Sequence, residues 1–314
     1  MRVGRNVMLL GLMTSALIGC RSRDDRMAKL QAALDSNVVL PKKLDGAMVL
    51  GETNLTGNRN IEGGLPSLPS SFHESTDDFY LSRKQFVILY NAKAKVPVWT
   101  SWQLVKSDLG EQTRTNSFRG DPILNTYMEV KEGKKGVGAD DYGNTCFDRG
   151  HQAPSADRSK NKEDNEATYF MSNMAPQTSF LNKRIWADLE VDTRELVETK
   201  GHKLQIYAGP IMRDGREGVG PDKDIQVPEA FYKVIAIYKD KEAEKPSDYI
   251  AVIMGNVTSD GLDPLANREE NCKEHEHGGT GRLSTSWKDY KVKLKEITRR
   301  AGVSFPILAD LQEK

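Results

Sequence analysis

The residues best suited to chemistry stand in one short run, Cys-Phe-Asp-Arg-Gly-His at positions 146–151. His151 is one of five histidines in the 314-residue chain. An imidazole with an unperturbed pKa of about 6.5 can take up a proton near neutral pH. Arg149 offers a guanidinium, whose planar fork of donors suits phosphate oxygens. Gly150 lets backbone and substrate approach closely. These types together suggest phosphate chemistry, whereas a polar turn after a strand would use the same residues for none. The difference rests on whether the rest of the chain supplies partners for His151.

The segment SFLNKRIWADLEVDTRELVETKG, residues 179–201, supplies candidates. Apolar residues at Leu181, Ile185, Leu189, Leu196 and Val197, charges elsewhere and a terminal Gly201 predict an amphipathic helix. On a regular helix Asn182 and Glu190 project within about 80° of each other, about 12 Å apart along the axis. Helical side chains lean toward the N-terminus, so Glu190 leans back toward Asn182. An amide oxygen and a carboxylate on one face can hold a hydrated Mg²⁺, a cation that keeps most of its waters. Trp186, between them in sequence, is expected to pack beneath. The plainer alternatives are a helix cap for Asn182 and a wet face for Glu190.

These residues need a scaffold, and the composition allows one large domain of mixed class. With 45 basic and 45 acidic residues the formal charge is zero, which argues against coating nucleic acid by bulk electrostatics but not against a local basic groove. The opening MRVGRNVMLLGLMTSALIGC has Arg2 and Arg5 before an apolar run from Val7 to Ile18, the layout of a signal peptide over residues 1–19. Its end, LIGC, has the form of a bacterial lipobox. That form predicts lipidation of Cys20 and export to the cell envelope, with several acyl chains holding the chain at a membrane. Arg21 follows the cysteine, and by resemblance to enterobacterial lipoprotein sorting the absence of Asp there favours the outer membrane over the inner. Cys146 and Cys272 then remain, either as one disulfide or as two separate buried thiols.

Residues 20–71 read as a lipidated N-terminus and flexible tether, because GETNLTGNRNIEGGLPSLPSS is rich in Gly, Asn, Ser and Pro without apolar periodicity. The domain is expected over residues 72–314. FVILYN and VWTSWQLV suggest a hairpin, and KLQIYAGPIM, FYKVIAIYK and YIAVIMGN further strands. A second helix is expected over SWKDYKVKLKEITRRAG, residues 286–302. Strands, a long helix, more strands and a final helix indicate an α+β fold with a largely antiparallel central sheet and packed helices. NCKEHEHGG, with Cys272, His275 and His277, could be a zinc site. Its C-x₂-H-x-H spacing lacks a fourth ligand, so an exposed polar loop is the preferred reading.

The run DRGH at 148–151, followed by YFMSNMAPQTSFLNKRIWADLE at 169–190, resembles the signature of the DNA/RNA non-specific endonucleases of the ββα-metal type. That family includes secreted bacterial nucleases and mitochondrial endonuclease G. The likeness extends over about residues 72–310, through RTNSFRGDPIL, IYAGPIM, VPEAFYKVIA and KLKEITRRAGVSFPIL. It implies an embedded ββα-metal motif and Mg²⁺-dependent hydrolysis of DNA and RNA to 5′-phosphate and 3′-hydroxyl ends, Mn²⁺ or another divalent ion being an alternative cofactor. By the same resemblance His151 is the general base and Asn182 the direct metal ligand. Glu190 holds a metal-bound water, Arg149 and Arg114 grip phosphate, and Asn173 supports the site. Arg194 faces substrate, and Asp148 fixes the turn. Arg119 competes with Arg114 for the phosphate role. The alternative function is a catalytically silent lipoprotein of the same fold that binds nucleic acid or a partner; retention of His151, Asn182 and Glu190 speaks against it.

Overall fold

The computed structural model describes residues 42–44, 47–51, 53, 55–68, 78–133 and 135–311. Among the described residues twelve strands run in chain order: β1 (Lys42–Leu44), β2 (Ala47–Gly51), β3 (Asp78–Ser82), β4 (Val87–Asn91), β5 (Val96–Leu104), β6 (Asp148–His151), β7 (Met174–Gln177), β8 (Lys203–Ile211), β9 (Gly218–Val219), β10 (Ile225–Gln226), β11 (Ala230–Tyr238) and β12 (Asp248–Gly255). The helices are α1 (Pro122–Glu132), α2 (Lys162–Ala167), α3 (Trp186–Glu198), α4 (Arg268–His277) and α5 (Leu294–Ala301). Eight strands form one sheet in the order β1-β2-β3-β4-β5-β8-β11-β12. Its pairings are antiparallel except β2 with β3.

The central strands read as continuous apolar runs because both faces of the sheet are covered. Successive side chains point to opposite faces, so Phe79, Leu81, Ile88 and Tyr90 join one core while Tyr80, Val87 and Leu89 join the other. The first core receives Ile185, Trp186 and Leu189 from the long helical segment. The second is closed by Leu294 and Ile297 of α5, with Phe305 and Leu308 beyond it.

Apart from the large sheet, β6 and β7 pair antiparallel, with Gly150 opposite Ala175 and His151 opposite Met174. A helical segment follows β7 directly, so the three elements make a ββα unit. Gly150 is required by close approach, but of the protein to itself: a Cβ there would lie 2.2 Å from Gln177 Oε1.

Three expectations need correction. The lipobox and Cys20 lie outside the described residues, but the later part of the 20–71 segment is not a tether. β2 pairs with β3, and Asn60, fully buried, is a hydrogen-bond hub. Its side chain donates to Lys84 O (2.9 Å) and accepts from the Gln103 amide (3.2 Å) and Arg158 Nη2 (3.1 Å). The helix expected over 286–302 occupies only its second half. Trp287–Tyr290 is a 3-10 turn, after which Val292 donates its amide to Ala251 O of β12 at 2.9 Å. Residues 268–277 form α4 rather than a loop, and the zinc reading fails because Cys272 is bonded to Cys146.

Asn60→Ala would strand the Gln103 amide in the interior, at about 1–3 kcal/mol, while Arg158 Nη2 keeps Gln85 O and Gln103 O as acceptors. Equilibrium urea unfolding should therefore show a loss of about 2 kcal/mol. A change below about 0.5 kcal/mol would mean that residues 59–61 are an appendage after all.

Candidate active site

His151 ends β6 with only 8% of its surface exposed. Its ring lies edge-on to Tyr169 at 4.9 Å and tilted against Phe118 at 5.6 Å. The buried Nε2 has no hydrogen-bond partner among the described residues. Burial, aided by the positive charge of Arg114, lowers the imidazole pKa to about 3. His151 is therefore neutral across the physiological range, with a nitrogen available to a reactant.

The three candidate arginines are used differently, and two of them lie at this position. Arg149 shares its strand face with His151 and stacks over the same Phe118 ring at 4.9 Å. Its Nε donates to Ala139 O at 3.1 Å, which fixes the plane of the guanidinium. Arg114 is exposed, lies 6.0 Å from the Tyr169 ring centre and makes no hydrogen bond or ion pair among the described residues. Arg119 turns elsewhere. Its Nη1 donates to Ser117 O, Ser117 Oγ and Glu166 O at 3.0–3.2 Å, and its guanidinium covers Phe170 at 4.3 Å.

Asn182 lies in a π-helical turn, Leu181–Ile185, that precedes α3 and ends with the Trp186 amide bonded to Leu181 O. The spacing expected for a regular helix therefore does not apply between Asn182 and Glu190, because the wider turn changes the phase between them. Such turns cluster at functional sites. The Asn182 Nδ2 donates to Asp148 Oδ2 at 3.0 Å, and Lys183 Nζ lies 3.3 Å from Asp148 Oδ1. The side chain of Asp148 thus reaches the helix rather than fixing a turn. With its nitrogen held there, the amide oxygen of Asn182 is aimed away from the carboxylate.

Glu190, one further element along, sits against a lysine that sequence reading missed. Lys233 of β11, 1% exposed, places Nζ 3.2 Å from Glu190 Oε1 and 4.1 Å from the Trp186 ring centre. Burial raises the Glu190 pKa, opposed by Lys233 and Arg194. Burial likewise lowers that of Lys233, opposed by Glu190 and Asp157. Arg194 pairs with Asp157 at 3.0 Å, and Asp157 also accepts from Trp102 Nε1 at 2.9 Å. Charges alternate through the group, so each buried charge has an opposite neighbour. A lone lysine inside AFYKVIAIY was the available signal, since lysine is almost never fully buried unless paired.

Asn173 is fully buried and holds the chain that follows His151. Its Oδ1 accepts from the Ala153 amide at 3.0 Å, while Nδ2 donates to Ala153 O and Thr168 O. Asn173 therefore supports the site without facing it. Among the described residues no group of three or more His, Cys, Asp or Glu side chains is arranged to hold a metal ion.

The His151 titration has a thermodynamic consequence. The folded imidazole takes its proton at about pH 3 and the unfolded chain at about 6.5. Between these values the unfolded state binds more protons, so stability falls as pH drops, by up to about 1.4 kcal/mol per unit. From pH 6.5 to 4, His151→Ala should lose stability less steeply than wild type in urea titrations. Parallel declines would contradict a buried neutral imidazole.

The profile of the DNA/RNA non-specific endonuclease family matches residues 64–310. A nuclease of Nostoc sp. strain PCC 7120 is 31% identical over 242 residues, covering 77% of this chain and 78% of the relative. Nuclease C1 of Cunninghamella echinulata var. echinulata is 27% identical over 239 residues, covering 72% and 82%. The fold also matches a solved structure of the EndoG/EndoGI complex with a TM-score of 0.56 at 20% identity, over 81% of this chain and 92% of that one. By the extent of these matches the chain belongs to the DNA/RNA non-specific endonuclease family and is a nucleic-acid hydrolase.

Proposed function

We propose that the chain is a Mg²⁺-dependent, sequence-tolerant endonuclease that cuts both DNA and RNA and leaves 5′-phosphate and 3′-hydroxyl ends. The observation that carries this reading is the buried, neutral His151 with an unpartnered Nε2 beside an uncommitted Arg114. A nitrogen in that state can accept the proton of an attacking water. Arg114 and Arg149 bind the scissile phosphate as its charge grows. Once the phosphate anion offsets the Arg114 charge, the smaller of the two effects that hold the imidazole proton affinity down is relieved, burial being the larger. His151 thus becomes a better base when substrate is present.

The donor set fits a hydrated divalent cation. Asn182 would hold it through the amide oxygen that Asp148 aims away from itself, and Glu190 through a bound water. Such an ion stabilises charge on the phosphate and on the leaving 3′ oxygen. Lys233 compensates the Glu190 carboxylate in its largely buried position. Arg194, one turn further along α3, is held beside it by Asp157 at 3.0 Å, which leaves the expected substrate contact of Arg194 without an observation to support it.

Supercoiled plasmid and RNA should both be degraded with Mg²⁺ and spared with EDTA. His151→Ala and Asn182→Ala should each lower the rate at least about 100-fold. Full activity in a nuclease-free His151→Ala preparation would remove the assigned mechanism. Nucleic-acid binding without hydrolysis across several divalent metals would favour the silent binding protein instead.

We also propose that the chain is exported and anchored to the outer membrane through lipid on Cys20. The Cys146–Cys272 disulfide supports an oxidising compartment. Labelled palmitate should enter the wild-type chain in a bacterial host and not Cys20→Ser; equal labelling would refute the anchor.

A further inference from the structure

Helix α4 is the part of the molecule that neither the core nor the proposed mechanism uses. It carries ten almost wholly polar residues, REENCKEHEH, and has no apolar face that would explain its docking. Yet it is fixed to the base of the catalytic strand at two adjacent positions. Cys272 is bonded to Cys146, across 126 residues of sequence. Asn271 Nδ2 donates to Cys146 O at 2.8 Å. A third attachment, Glu274 to the Ser259 amide at 2.9 and 3.0 Å, holds the far side of the helix. Cys146 takes a left-handed backbone (φ 60°), and two residues later the chain enters β6 at Asp148.

The same helix then presents His275. Residue 275 follows 271 by four and 272 by three, so all three share one face. His275 Nε2 lies 3.2 Å from Asp148 Oδ1, on the carboxylate whose other oxygen receives Asn182 Nδ2 at 3.0 Å. Lys183 is the further cation at this carboxylate, half-exposed and also bonded to Ser179 Oγ at 2.7 Å. The chain of contacts therefore runs from a helix locked by a disulfide, through one imidazole and one carboxylate, to the amide proposed as the metal ligand.

We propose that His275 is a positioning residue for the metal site. Through its 3.2 Å contact with Asp148 Oδ1 it holds the carboxylate in the orientation that fixes the Asn182 amide, and the disulfide holds His275 in place. Asn182 and Lys183 also meet this carboxylate, but Lys183 is exposed and shared with Ser179 Oγ, so His275 is the contact at Oδ1 that comes from a fixed element. A metal ligand so restrained needs less ordering when the cation binds, and loss of such outer partners typically costs 10–100-fold in metal affinity or activity. The inference rests on Asn182 being the metal ligand.

The test uses the full chain and two substitutions, His275→Ala and His275→Gln, the second keeping a neutral donor of similar reach. Mn²⁺ binding would be followed by electron paramagnetic resonance without nucleic acid, and plasmid cleavage across a Mg²⁺ titration. His275 is 35% exposed, so both variants should melt with the wild type. His275→Ala should bind Mn²⁺ at least about 10-fold more weakly and need correspondingly more Mg²⁺, with the rate recovering at saturating metal. His275→Gln should restore most of the affinity. Metal binding within twofold of wild type in His275→Ala would overturn the proposal, and so would equal impairment of the Ala and Gln variants. Asn182→Ala separates the two levels. If it binds Mn²⁺ like wild type, the metal-ligand reading itself fails and this inference falls with it. If it loses binding while His275→Ala does not, only the role of His275 fails.

Discussion

Burying one guanidinium organises much of this molecule. Arg158 is 2% exposed and always charged, so its donors must all be met inside the protein. Nε and Nη2 donate to Gln85 O, Nη2 also reaches Asn60 Oδ1 and Gln103 O, and Nη1 donates to Asp157 O. These acceptors come from the N-terminal segment, from the β3–β4 turn and from β5. Meeting them forces the stretch just after His151 into one path, because Arg158 lies seven residues beyond the histidine on the same loop. The position of His151 is thus tied to satisfying a neighbour.

The same rule continues across the site. Asp157, adjacent to Arg158, accepts from Trp102 and pairs with Arg194. Arg194 and Lys233 in turn flank Glu190. Replacing any one member with an apolar residue would leave its partner as an uncompensated charge, a change that costs about 3–5 kcal/mol when such a pair is buried. His151 Nε2 is one of several buried polar atoms without a partner among the described residues, and its place at the end of a strand beside Arg149 and Arg114 is where a reactant could meet it.

What was legible in the sequence was whatever hydrophobic patterning writes. The β4–β5 hairpin, the long strands and the helical segment with buried Leu181, Ile185 and Leu189 all follow from apolar runs and spacing. The elements misread are those held by polar contacts. Asn60 acts through hydrogen bonds to residues up to 145 positions away, and its Gly- and Asn-rich surroundings look like tether. Helix α4 packs Asn271 and Glu274 inward, so it has no apolar face to announce it. The π turn around Asn182 is invisible to a 3.6-residue period. Of the site, residue types were readable in His151, Asn182 and Glu190. Their partners Lys233, Asp157 and Tyr169 were not, since each is chosen by tertiary contact.

Two arginines in one short segment show how structure separates what composition cannot. Arg114 and Arg119 are chemically identical and five residues apart, and either could meet a phosphate. Arg119 spends its donors on Ser117 and the Glu166 carbonyl and covers Phe170, while its own backbone amide and carbonyl bond to Tyr169 and Met171. Recruiting it to a phosphate would mean breaking those contacts first. Arg114 has no such commitments among the described residues, and its charge already acts on His151. An anion binding there loses nothing in protein hydrogen bonds and removes a charge that opposes proton uptake by the imidazole. Availability and electrostatic coupling therefore both favour Arg114 over Arg119 for the proposed phosphate contact, since a bound anion would offset the one nearby charge that acts on His151.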